Sequence, residues 1–244
     1  MMKKFILLTF CALVLNASEI RVAAAANIGY VIDELKKEFL KDRSDDKIEV
    51  TLASSGKLNT QIKNGADYAI FMAANMNFAN DLYKSGFSTK EAEIYTRGVL
   101  MMFSAKKRDL SRGLELLKDK DIHKIAVANI KTAPYGIAAY EAFKNAGVLK
   151  EIESKLVFAE SISGVLPYAL SAAEIGFIPK SALVGKDEYK EGSNFAAVDS
   201  KLYTPLDQGM ILLKPYENDK LATDFYAFLK GEKAKAIFKT YGYE

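Results

Sequence analysis

Apolar positions along the chain follow two rhythms. Glu19-Ile20-Arg21-Val22 and Ile48–Leu52 read as short extended segments, and Ile28, Val31, Ile32, Leu35 and Phe39 recur at helical spacing between them. Leu58 and Ile62 begin a second helix that Gly65 stops. Tyr68–Ala73 reads as a strand, and Phe78–Leu82 as a helix ending near Gly86. Gly98–Ala105 is one strongly apolar strand and Lys124–Ala128 another. A helix from Gly136 to Asn145, with Gly147 as its stop, precedes a strand at Leu156–Phe158. Val165, Leu166, Ala169, Leu170 and Ala173 share a helical face. Ile175–Ile178, Ala196–Val198 and Gly209–Leu213 read as strands, followed by helices around Leu221–Leu229 and Glu232–Tyr241. The mixed-sign run from Lys36 to Lys47 reads as a solvated helix face and turn. Strands alternating with helices predict an α/β fold with mostly parallel sheets. Ligands in such sheets gather at the carboxyl ends of strands.

The N-terminus changes the picture. Met1-Met2-Lys3-Lys4 is a basic start, Phe5 to Leu15 is apolar and uncharged, and Leu15-Asn16-Ala17 offers a small-residue cleavage site before Ser18. That pattern predicts a secretory signal peptide over 1–17, since the apolar run is too short to span a bilayer. The competing reading is a buried N-terminal helix. Cys11 follows Phe10, where a lipoprotein cleavage site needs a small residue, so a soluble exported protein is expected rather than an anchored one. Without 1–17 no cysteine remains. The exported chain must then rely on its core, as one large domain or two smaller lobes. The net charge is +3, and Lys3 and Lys4 leave with the signal. No basic patch points to nucleic acid.

Candidate chemistry lies in four turns of small residues, each near a strand and ahead of a helical pattern. They are Ala24-Ala25-Ala26-Asn27, Ala53-Ser54-Ser55-Gly56, Thr132-Ala133-Pro134-Tyr135-Gly136 and Ser161-Ile162-Ser163-Gly164. A helix start exposes backbone N–H groups, which hold anions, and small side chains let a ligand reach the backbone. Pro134 suits a first helical turn. Asn27, Ser55 and Ser163 are also helix-capping residue types, and capping alone accounts for any one of them. Taken together, the turns predict an oxyanion cleft, because a buried dianion needs many donors to replace its hydration. Asn27, Ser54 and Ser55 add neutral side-chain donors, and Lys57 and Lys131 stand near enough to steer anions. None of the turns carries Asp or Glu. A site without a carboxylate acceptor favours a fully ionised guest such as molybdate, tungstate or sulfate over hydrogen phosphate.

The mature chain resembles the periplasmic molybdate-binding proteins of ATP-driven molybdate importers. The resemblance is carried by Val22-Ala23-Ala24-Ala25-Ala26-Asn27, Ala53-Ser54-Ser55-Gly56, Gly65-Ala66-Asp67-Tyr68-Ala69-Ile70-Phe71, Ala133-Pro134-Tyr135-Gly136, Gly176-Phe177-Ile178 and Ile237-Phe238-Lys239-Thr240-Tyr241-Gly242-Tyr243. It implies a two-lobe binding protein of the type II class. Residues 18–97 and 203–244 would form lobe 1, 98–202 would form lobe 2, and the hinge would be crossed twice. It also implies a dehydrated oxyanion held between the lobes and a monomer that delivers it to an ABC permease of the inner membrane, with no cofactor. By position the donors would be Asn27, Ser55, and the backbones at Tyr135 and Ile162, with Ala26 and Ser54 as weaker candidates. A tyrosine donor of some relatives falls near Pro179, so either the Tyr135 hydroxyl replaces it or the site has fewer donors.

Other chemistries fit the sequence less well. An exported serine hydrolase would pair Ser55 with His123, the only histidine, but no Gly-x-Ser-x-Gly elbow is present and His123 reads as a surface residue. The Cys and His clusters of a zinc site are missing. Tyr241 and Tyr243 read as a packed tail, Asp67 as a turn residue, and Met72, Met76, Met101 and Met102 as core. Binding of sulfate or another small anion, and ligand sensing for a membrane receptor, remain the alternatives within the binding class.

Overall fold

A computed structural model describes residues 18–244; the signal-peptide reading of 1–17 lies outside the described residues. The chain builds strand β1 (Glu19–Ala25), helix α1 (Ile32–Leu40), β2 (Lys47–Ala53), α2 (Ser55–Lys63), β3 (Ile70–Met72), α3 (Met76–Lys84) and β4 (Glu93–Gly98). It continues through β5 (Leu100–Phe103), β6 (Ile125–Ala128), α4 (Pro134–Asn145), α5 (Leu149–Ile152), β7 (Leu156–Ala159), α6 (Val165–Ser171), β8 (Ile175–Pro179) and β9 (Phe195–Ala197). It ends with β10 (Leu206–Leu212), α7 (Lys220–Lys230) and α8 (Glu232–Thr240).

The strands form two sheets of the same plan. One has the order β2-β1-β3-β10-β4 and the other β7-β6-β8-β5-β9. In each, the first three strands are parallel and the last two join antiparallel. Both sheets are therefore mixed, with a parallel half that ends at the small-residue turns. The chain passes between them twice, at Val99 and again between β9 and β10.

The apolar run Gly98–Ala105 is divided by the first of these passages. Gly98 closes β4 of the first sheet, and Leu100 opens β5 of the second. The pattern of apolar residues is continuous there because both sides of the crossing are buried, so hydrophobicity alone does not mark the change of sheet.

Every residue of β5, β6 and β8 is buried, as expected of strands covered on both faces. Phe103, Ile125, Val127, Phe143 and Phe177 belong to the core around the second sheet. The first sheet packs Val22, Leu35, Met72, Phe225 and Phe238 on one face and Leu58, Phe71, Leu82 and Ile211 on the other. Fully burying each such side chain contributes roughly 1.5–3 kcal/mol. Met72, Met101 and Met102 are core residues, and Met76 is half-buried. Gly176 matters to packing here: a Cβ on it would stand 2.7 Å from the Ala169 Cβ, so its absence lets α6 lie close on β8.

Candidate functional site

The four turns meet at one small cavity of about 10 Å³. Its lining is Ala25, Ala26 and Asn27 from the first turn, Ser54 and Ser55 from the second, Ala133, Pro134 and Tyr135 from the third, and Ile162 from the fourth, with Ala74 added. Segments more than a hundred residues apart in sequence are brought together because β1, β2, β6 and β7 all point their carboxyl ends at it. No charged side chain lines the cavity. Asn27 and Ser55 are wholly buried, and Tyr135 and Ile162 nearly so.

The capping account of these turns fails on the observed bonds. Neither Ser54 before α2 nor Ala133 before α4 places a side-chain cap, and the 3-10 turns at Ala26–Tyr30 and Ile162–Gly164 have none either. Elsewhere in the chain, Asn75, Asp109, Asp199 and Asp219 do cap their helices through side-chain oxygens. The Ser55 hydroxyl instead accepts the Ala74 N–H at 3.0 Å, and the Ser163 hydroxyl meets that of Ser161 at 2.9 Å. Four chain starts therefore face the cavity with first-turn N–H groups that no capping side chain occupies. Such groups carry partial positive charge and suit an anion.

Around this cavity the two halves of the molecule touch. The Gly56 N–H donates to the Thr132 carbonyl at 2.9 Å. A Cβ on Gly56 would stand 3.0 Å from Thr132 Cα, so this contact depends on glycine. Lys57 pairs with Glu160 at 2.6 Å across the outer rim, and this pairing holds the Glu160 carboxyl below its usual range. The Lys57 charge is thus matched by a carboxylate rather than aimed at the cavity.

Asn27 and Tyr135 lead into a buried polar network that sequence reasoning did not find. Asn27 Nδ2 donates to Gln208 Oε1 at 2.9 Å and to Tyr243 Oη at 3.2 Å, and the Tyr243 hydroxyl donates to the Asn27 carbonyl at 2.9 Å. Tyr95 Oη lies 2.9 Å from Gln208 Oε1 and 3.3 Å from the Ala73 carbonyl. Gln208 Nε2 lies 3.3 Å from Tyr135 Oη, joining α4 of one half to β10 of the other. Gln208 itself is wholly buried. Gly98 makes room for this meeting, because a Cβ there would lie 2.1 Å from Tyr135 Oη. Burial pushes the Tyr95 and Tyr135 hydroxyls well above their ordinary range and Tyr243 up to about 12. All three remain protonated donors at neutral pH.

These positions bear on Tyr135, Pro179 and Tyr243. The Tyr135 hydroxyl accepts from Gln208 Nε2 and stands close to Gly98, between α4 and the strands β4 and β10. Pro179 is buried as the last residue of β8. Tyr243 is more than a packed tail, since it bonds both the backbone and the side chain of Asn27. The only sequence signal for Gln208 was a polar pair, Asp207-Gln208, beside the apolar run Gly209–Leu213.

His123 is exposed, and its backbone N–H donates to Glu174. No hydrogen bond joins it to Ser55 among the described residues, whose hydroxyl is held by Ala74. Asp67 pairs with Arg21 and accepts the Tyr216 hydroxyl on the surface.

A family profile for bacterial extracellular solute-binding proteins matches residues 20–244. The molybdate-binding protein ModA of Azotobacter vinelandii is 32% identical over 230 residues, covering 93% of this chain and 90% of that protein. The molybdate-binding protein ModA of Rhodobacter capsulatus is 32% identical over 234 residues, covering 95% of this chain and 90% of that protein. The solved periplasmic molybdate-binding protein of Azotobacter vinelandii superposes with a TM-score of 0.85 at 27% identity, over 92% of this chain and 98% of that one. With a matching profile across the whole described chain, matching sheets and relatives of this identity, the chain belongs to the bacterial extracellular solute-binding protein family, among the relatives of ModA.

Proposed function

We propose that this protein captures molybdate, and tungstate of the same shape and charge, and presents it to an ABC importer. The observation that carries the reading is the convergence of four uncapped chain starts, from both sheets, on a cavity without a charged side chain. A bare dianion loses its hydration there and gains N–H and O–H dipoles in return. The donors are the Ser55 hydroxyl, the Asn27 amide, and the backbones at Tyr135 and Ile162, with Ala26 and Ser54 contributing less. A hydrogen phosphate would bring a proton for which the lining offers no carboxylate. The lobes, 18–97 with 203–244 and 98–202, close over the guest by turning about the two crossings, so that ligand selects the closed form. The protein is exported to the periplasm by residues 1–17, acts as a monomer, performs no catalysis and needs no cofactor.

A thermal-shift panel on ligand-stripped protein tests this with molybdate, tungstate, sulfate, phosphate and nitrate. A guest at 1,000 times its dissociation constant stabilises the native state by about 4 kcal/mol. Molybdate and tungstate are expected to raise the melting point strongly and phosphate not at all. A shift by sulfate alone would replace the proposed guest with sulfate. No shift by any of the five would end the oxyanion reading.

A further inference from the structure

The buried network behind the cavity admits two hydrogen-bond arrangements, and a ligand in the cavity can complete only one of them. With Asn27 Nδ2 turned to Gln208 Oε1 and Tyr243 Oη, Asn27 Oδ1 is buried with no partner. Tyr95 then faces two acceptors, Gln208 Oε1 and the Ala73 carbonyl, with a single proton. The Tyr135 hydroxyl receives Gln208 Nε2 and has no acceptor for its own proton. An amide turned by half a rotation keeps its shape and exchanges donor for acceptor.

Turning the Asn27 and Gln208 amides together removes each conflict. Gln208 Nε2 then donates to Asn27 Oδ1 and to Tyr95 Oη, using both of its protons. Tyr95 donates to the Ala73 carbonyl alone. Tyr135 donates to Gln208 Oε1. Tyr243 still donates to the Asn27 carbonyl at 2.9 Å, and its oxygen then stands 3.2 Å from Asn27 Oδ1 with no proton between them. The donor left over is Asn27 Nδ2, a buried group on a residue that lines the cavity. In the first arrangement the atom in that place is an oxygen, which repels an anion.

We infer that Gln208 is the positioning residue of the site: it sets which end of the Asn27 amide faces the guest, and an oxyanion binds to the second arrangement. The network ties this choice to the hinge, since Gln208 lies on β10 and takes the Tyr135 hydroxyl from α4. The residue is also a specificity determinant. With nitrogen outward, Asn27 favours bare anions, and with oxygen outward it favours guests that carry a proton. This inference rests on the oxyanion reading above.

The test combines calorimetry with the side-chain amide resonances of nitrogen-15-labelled full-length mature protein. Adding molybdate to the wild type is expected to shift the Asn27 and Gln208 side-chain NH2 resonances together. Gln208→Met leaves Tyr243 as the sole partner of Asn27 Nδ2, which holds the oxygen outward, and molybdate affinity should fall by about tenfold or more. Adding Tyr243→Phe removes that last partner, frees the amide to turn, and should restore part of the lost affinity. A residue with a merely structural role would give the opposite result, because the second substitution would deepen the loss. The inference is overturned if Gln208→Met binds molybdate as the wild type does, if the double variant binds more weakly than the single one, or if the two NH2 resonances do not move with ligand. Should Gln208→Met not fold, the wild-type resonances alone decide. Absence of oxyanion binding by the wild type would instead remove the proposed function itself.

Discussion

Replacing Ser55 by alanine separates binding from stability at a single atom. The Ser55 oxygen accepts the Ala74 N–H at 3.0 Å, and the side chain is wholly buried beside the cavity. Because that lone pair is taken, the one hydroxyl proton is left to point elsewhere, and the cavity is where an acceptor would arrive. Ser55→Ala removes a hydrogen bond to a charged guest, which is worth about 1.5–3 kcal/mol. The molybdate dissociation constant should therefore rise by roughly 10- to 150-fold. The same change strips the buried Ala74 N–H of its acceptor, at about 1–3 kcal/mol of stability in the unliganded protein. Isothermal titration calorimetry reads the first quantity and urea unfolding without ligand reads the second. A dissociation constant within about twofold of wild type, at any loss of stability, would refute Ser55 as a donor. Lost affinity with full stability would show instead that the Ala74 bond contributes nothing.

Three further outcomes follow from the same geometry. Gly98→Ala would place a Cβ 2.1 Å from Tyr135 Oη and 2.7 Å from Gln208 Nε2. It should hold the halves apart, seen as a larger radius of gyration with ligand in small-angle scattering, and an unchanged radius would contradict the crowding. Lys57→Ala removes an exposed ion pair across the rim, worth about 0–1 kcal/mol. Molybdate affinity should change by less than about fivefold, and less again in high salt; a larger change would mean that Lys57 acts on the guest directly. Stability should be level from about pH 6 to 9 and fall above about pH 10, where tyrosines of the unfolded chain ionise while Tyr95, Tyr135 and Tyr243 stay protonated in the fold. Tyr243 adds to this fall up to about 12, so Tyr243→Phe should make the decline in the urea midpoint shallower; an unchanged slope would refute its burial as the cause.

The parallel halves of both sheets were legible because their strands are short apolar runs bounded by small residues and helical periodicity. Strand β4 was not. Its sequence Glu-Ile-Tyr-Thr-Arg-Gly mixes charge with apolar residues because it is an edge strand, with Ile94 and Arg97 exposed. The turns at Asn27, Ser55, Tyr135 and Ile162 stood out by composition alone. Gln208, Tyr95 and Tyr243 did not, since their roles depend on the antiparallel pairing of β10 with β4 and on where the tail returns. Ala74 was invisible for a simpler reason: it contributes a backbone N–H to Ser55, and any residue type supplies one. Local pattern marks where a chain can offer donors, whereas the groups that orient them are set by long-range contact.

The cavity draws its walls from residues 25–27, 54–55 and 74 on one side and 133–135 and 162 on the other. Neither sheet alone owns a complete set of walls. A guest seated there would fasten together two bodies that could otherwise melt at separate temperatures. Calorimetric scans of the empty protein are then free to show two overlapping endotherms, and saturation with molybdate should draw them into a single, sharper one.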